Sequence, residues 1–176
     1  MPPGVVAIMS RVANKIDVLT MPGALALYGA INDRHFGGIL PTIEIHVENY
    51  SNPYAMKSVR GYFHTMLGVP CISVSGDPAT YGSVYQFARL LAHEMLHYYC
   101  YLHKIEDVQK INGEQWHTEN FANVAKRFNL YDYDNFADIR NEDGSLCELF
   151  CPGGFLECVK VPEIDYAAFL FSECKN

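Results

Sequence analysis

Residues 90–101 read LLAHEMLHYYCY, and this stretch decides how the rest of the chain is read. His93, Glu94 and His97 form an H-E-x-x-H pattern. Leu90, His93, His97 and Tyr101 step by three and four, Phe87, Leu91, Met95 and Leu96 supply apolar neighbours, and no Gly or Pro interrupts Ser83 to Lys110. That periodicity predicts a buried helix from about Thr80 or Ser83 to about Lys104. Positions four apart lie one turn up the same helical face, so two imidazoles can reach one ion at about 2.0–2.1 Å. Glu94 follows the first histidine, where its carboxylate reaches a metal-bound water rather than the metal. Zinc lowers the pKa of such a water and the glutamate takes its proton. With seven His and eleven Glu in 176 residues, chance produces the pattern about 0.02 times in such a chain. The stretch is therefore read as a metal site rather than as a core helix with two satisfied histidines.

A catalytic zinc keeps three protein ligands and one open position. The candidates after His97 are His103, Glu114, His117 and Glu119. His103 has the H-E-x-x-H-x-x-x-x-x-H spacing, but Cys100 stands where the chain would need a glycine to turn back. No methionine follows Met95 to form a Met-turn. On an unbroken helix, six residues place His103 about 120° around the axis from His97, so it is expected at the surface near a helix C-terminus. Gln115–Phe128 has apolar positions at Trp116, Phe121, Val124, Ala125 and Phe128 and reads as a second helix with His117 in its first turn. His117 is the favoured third ligand. Glu119 is the alternative, a carboxylate ligand on a second helix.

The order of these motifs resembles that of the SprT-like metallopeptidases, the Spartan-type proteases among them. INDRHFGGILPTIEI at residues 31–45 is similar to the family's helix end, glycine pair and following strand. RGYFH and CISVS follow, then HEMLH at 93–97 and HTENF at 117–121, with Thr118 where the family has glycine. The resemblance covers about residues 22–130. It implies a zincin-like core, one catalytic Zn²⁺ held by His93, His97 and His117, and Glu94 as general base in peptide hydrolysis. The family's C-terminal zinc ribbon needs paired C-x-x-C knuckles, which the spacing of Cys147, Cys151, Cys158 and Cys174 does not supply.

The remaining elements are placed around this centre. Residues 4–20 are mixed and could form a short helix. Thr20 and Pro22 mark the start of a helix that Gly37 and Gly38 stop. TIEIHV at 42–47 alternates as a strand with His46 on its polar face; VRGYFH at 59–64 and VPCISVS at 69–75 are two more strands. Residues 105–113 read as a polar connection. Residues 146–150 and 155–161 could form a small ribbon, and 165–174 is expected to dock on the domain.

The expected fold class is α+β: a zincin-like core with a sheet of about three strands against helices at 1–130, and a C-terminal extension at 131–176 packed on the same domain. Ile72, Ser73, Val74 and Ser75 are the expected edge strand, where an extended substrate would lie by β-addition. Tyr98, Tyr99 and Tyr101 are expected in the core rather than as oxyanion donors.

Charge and composition bound the partners. Residues 1–103 carry six acidic and six basic side chains, whereas residues 104–176 carry fourteen acidic and seven basic, so the net −7 lies in the second part. There is no arginine cluster or basic stripe, which argues against direct nucleic-acid binding. No run of eighteen apolar residues would span a membrane. The start does not read as a signal peptide, and the six scattered cysteines read as free thiols, so a cytoplasmic location is expected. The expected partner is a protein or peptide substrate. A zinc-binding scaffold without turnover and a metal hydrolase acting on something other than a protein remain alternatives.

Overall fold

The computed structural model describes residues 15–48, 61–111, 113–131 and 159–171. The first described element is a two-residue strand, β1 (Ile16–Asp17); most of the short helix expected at 4–20 falls on residues 4–14, outside the described residues. Helix α1 (Met21–Ile31) then starts at Thr20, whose hydroxyl accepts from the Gly23 N–H, with proline in the first turn. Extended backbone at Thr20 makes that cap possible. The helix ends in a wider turn, Asn32–Phe36, closed by Gly37 in the left-handed region at φ 65°. Buried Asn32 holds the following loop through both ends of its amide: Nδ2 donates to the Leu40 carbonyl at 2.9 Å, and Oδ1 accepts from the Leu40 N–H at 3.1 Å.

Three strands form the main sheet: β2 (Glu44–Glu48), β3 (Gly61–Met66) and β4 (Val69–Ser75). The order is β2-β4-β3, with β2 parallel and β3 antiparallel to β4. The expected edge is thus displaced. Val69–Ser75 is the central strand, and Ile72, Ser73, Val74 and Ser75 are between 0% and 3% exposed. Ile72, Ser73 and Val74 pair on both sides and offer no edge to a substrate, and Ser75 pairs with Glu48 of β2. Near-continuous burial is what a central strand carries, and strand order depends on partners that a single segment does not encode.

Helix α2 (Val84–Leu102) lies across the inner face, started by Ser83, whose hydroxyl accepts from the Gln86 N–H at 3.2 Å. Phe87, Leu91, Met95 and Leu96 are fully buried, as their spacing predicts. Strand β3 passes close over this helix at Gly61, where a Cβ would stand 3.0 Å from Leu90 Cδ2 and from the Ser73 carbonyl oxygen. After α2, a hairpin of β5 (Val108–Ile111) and β6 (Glu114–His117) replaces the expected polar connection. Helix α3 (Glu119–Arg127) follows and buries Phe121, Ala122, Val124 and Ala125 against the core.

Residues 159–171 rejoin the same core. Val159 and Val161 are fully buried, Val159 bridges Tyr131, and the Arg89 side chain on α2 donates to the Val159 carbonyl at 2.5 Å. Strand β7 (Phe169–Leu170) pairs parallel with β1. The ribbon expected at 146–150 and 155–161 lies outside the described residues up to Cys158. The architecture is mixed α+β, with a small sheet and three α-helices among the described residues. None of these helices is long and apolar enough to cross a membrane.

Candidate metal centre

Two elements bring three imidazoles to one point. His93 and His97 project from consecutive turns of α2, and His117 arrives from the end of β6. His97 Nε2 lies 3.2 Å from His93 Nε2 and 3.1 Å from His117 Nε2. Among the described residues these three form the one group of His, Cys, Asp and Glu ligand atoms lying within 4.8 Å of one another. A tetrahedral ion with bonds of about 2.0–2.1 Å would separate its nitrogen ligands by about 3.3 Å, so the donor set fits a zinc-type ion closely. Burial pushes the His93 imidazole well below its ordinary pKa, and the neighbouring His97 and His117 add to the effect. His117 is lowered to about 3, again mainly by burial. Both are held neutral, the form that binds metals.

The route by which His117 arrives differs from the expected one. It ends strand β6, paired with Val108, and is not in the first turn of a helix. The helix starts two residues later because Thr118 is its cap: the Thr118 hydroxyl accepts from the Phe121 N–H, and Thr118 has extended backbone. Glu119, the alternative ligand, is an exposed first-turn residue of α3 and stands outside the cluster, where its charge suits the helix dipole. His103 is exposed at the C-terminal cap of α2, as expected. His46 is half-buried on β2 beside Glu44, 3.3 Å from its carboxylate.

Three residues to which the sequence assigns no role at the metal complete the site. Asp107, just before β5, accepts from His97 Nδ1 at 2.7 Å, which fixes the tautomer and turns Nε2 inward. The Asp107 carbonyl also accepts from the Thr118 N–H at 2.9 Å, and the Glu106 carbonyl accepts from the Thr118 hydroxyl at 2.6 Å. One short segment therefore orients His97 on α2 and anchors the residue after His117 on β6. Fully buried Phe121 forms the floor, with its ring centroid 5.2, 4.4 and 4.5 Å from those of His93, His97 and His117. The third is Phe63 on β3, whose N–H donates to Glu94 Oε2 at 2.7 Å.

Glu94 is 4% exposed. Burial raises its pKa, against the opposing pull of His97 and the Phe63 N–H. Tyr98 and Tyr99 are buried, and Tyr99 accepts from Arg127 at 3.1 Å, while Tyr101 is half-exposed beside the Phe63 ring. Cys71 and Cys100 are buried free thiols that do not belong to the cluster of ligand atoms; the other four cysteines lie outside the described residues. Comparison with models of known protein families, with curated proteins and with solved structures gave no match.

Proposed function

We infer that this protein is a zinc-dependent metallopeptidase built on a zincin-like, SprT-like core. The observation that carries the reading is the convergence of three imidazole nitrogens, with the buried carboxyl of Glu94 on the same helix as two of them. A divalent ion bound there supplies Lewis acidity, polarising a carbonyl oxygen and making water more acidic. Three nitrogen donors suit zinc and leave a fourth position open. Glu94 acts as the base: its raised pKa brings it toward the working pH, where a proton acceptor is most effective. The Phe63 N–H holds Oε2, leaving Oε1 to take the proton from water and return it to the leaving amine. Phe121 and the buried face of α2 exclude bulk water from behind the histidines, which strengthens every charge interaction in the site. The outer edge of β3, beside Glu94, replaces the buried Ile72–Ser75 segment as the place for an extended substrate strand.

Metal content and cleavage measured together test this reading. The parent should bind about one zinc per chain. His117→Ala should lose it and Glu119→Ala should keep it. Chelation should stop cleavage of an unfolded protein such as casein, and zinc should restore it. A parent that binds zinc yet cleaves none of several unfolded proteins would favour a scaffold role instead.

A further inference from the structure

Strand β3 runs in the same sense as α2: Gly61 meets Leu90, and the Phe63 ring sits 5.8 Å from Tyr98 and 5.5 Å from Tyr101. Beyond Phe63 it leads away from Glu94 to the β3–β4 turn at Leu67-Gly68, off the end of α2 where Tyr101 and Leu102 are 45% and 39% exposed. This turn is unusual in two independent ways. Leu67 and Gly68 both have positive φ, 51° and 82°, the conformation of a two-residue hairpin turn that favours Asn-Gly. Leucine at the first position is sterically costly, because its Cβ crowds the following carbonyl. The Leu67 side chain also recovers nothing by burial: it is wholly exposed at 102%, and its neighbours Met66 and Val69 are 48% and 55% exposed. The hairpin needs this backbone conformation, but a leucine adds strain to it and exposes an apolar tip to water without any burial in return. Strain that persists without a folding benefit points to function.

We propose that the Met66–Val69 tip is an exosite that grips an apolar segment of the polypeptide substrate, beside the part of the substrate that lies along β3. The proposal rests on the peptidase reading above and names the kind of substrate: unfolded or extended chains with apolar side chains a few residues from the scissile bond. Phe63, which bonds Glu94, is three residues from Met66 along one strand, so tip and base are roughly 10 Å apart at about 3.3 Å per residue. One extended chain spans both. A lipid surface is the poorer occupant, because interfacial binding draws on basic residues. The two strands that carry the tip, residues 61–75, have no Lys or Arg, and the nearest described exposed cation after α2 in sequence is the single Lys104.

The test is Leu67→Asn, which relieves the turn and removes the apolar group. The folded protein should be as stable as the parent or more so, because Asn tolerates left-handed backbone. The KM for unfolded casein should rise about tenfold, the scale of losing one buried leucine, with kcat and zinc content unchanged. Val69→Thr should raise KM in the same direction. Binding is read separately with Glu94→Gln, which retains casein without cleaving it. Adding Leu67→Asn to that variant should weaken binding about tenfold. Unchanged KM and unchanged casein binding would overturn the exosite, as would a Leu67→Asn protein that melts earlier, since that would mark Leu67 as structural. A parent that cleaves nothing removes the peptidase reading alone, and the binding comparison then decides the exosite by itself.

Discussion

Replacing Asp107 should weaken zinc binding although its carboxylate is not one of the three converging ligands. The carboxylate accepts from His97 Nδ1 at 2.7 Å, and the two side chains are only 21% and 12% exposed. Without it, His97 loses the partner that fixes its tautomer and ring plane, and Nε2 is aimed less well at the ion. Such outer partners contribute about 10–100-fold to metal affinity, or about 1.4–2.8 kcal/mol at 1.4 kcal/mol per tenfold. Asp107→Asn keeps an acceptor and should lie near the lower figure, while Asp107→Ala should lie near the upper one. Because metal binding stabilises the folded state by mass action, the zinc-loaded protein should melt roughly 3–11 °C lower. The assay is a zinc titration against a competing chelator, paired with thermal melts of loaded and metal-free protein. Glu106→Ala is the control: that side chain is exposed and its carbonyl alone makes the contacts, so zinc affinity should be unchanged. An Asp107→Ala protein that binds zinc as tightly as the parent would refute the reasoning.

Two further predictions concern the metal-free fold. Phe121→Ala removes the ring under all three histidines and should cost about 3–5 kcal/mol by chemical denaturation; a loss below 1 kcal/mol would mean that the floor is not packed. His117 is neutral in the fold down to about pH 3, whereas the unfolded chain takes up its proton below about 6.5. Between those values the unfolded state binds more protons, so metal-free stability should fall as pH drops from 6.5 toward 3. The slope should be shallower in His117→Gln, and equal slopes would contradict the buried neutral imidazole.

The parts of the fold that one segment specifies alone were legible in the sequence. The three-and-four spacing from Leu90 to Tyr101 marks α2, and Thr20 with Pro22 marks the start of α1. Parts that depend on a distant partner were not. Val69–Ser75 carries the same strand pattern whether central or at an edge, and only pairing with both β2 and β3 decides it. The hairpin before His117 had a signal in Asn112-Gly113, a turn-forming pair. Its strands are four residues each, too short to show alternation against the helical pattern that follows. The helical spacing runs back past Thr118 and takes in His117, although a capping threonine places the residue before it outside the helix. Asp107 left no signal at all. A carboxylate that orients a ligand has no fixed sequence spacing, and this one reaches His97 because the chain turns back after α2. The amide of Phe63 was invisible for the same reason: which backbone groups face outward depends on strand order.

The most direct test of the account is Glu94→Gln in zinc-loaded protein. Glutamine keeps the side chain's shape and its acceptor for the Phe63 N–H, but it cannot take a proton from water. General acid–base catalysis contributes about 10²–10⁴-fold in rate. Casein cleavage should fall by at least the lower figure while zinc content stays at the parent value. A Glu94→Gln protein that holds its zinc and cleaves at the parent rate would contradict the assignment of Glu94 as the base.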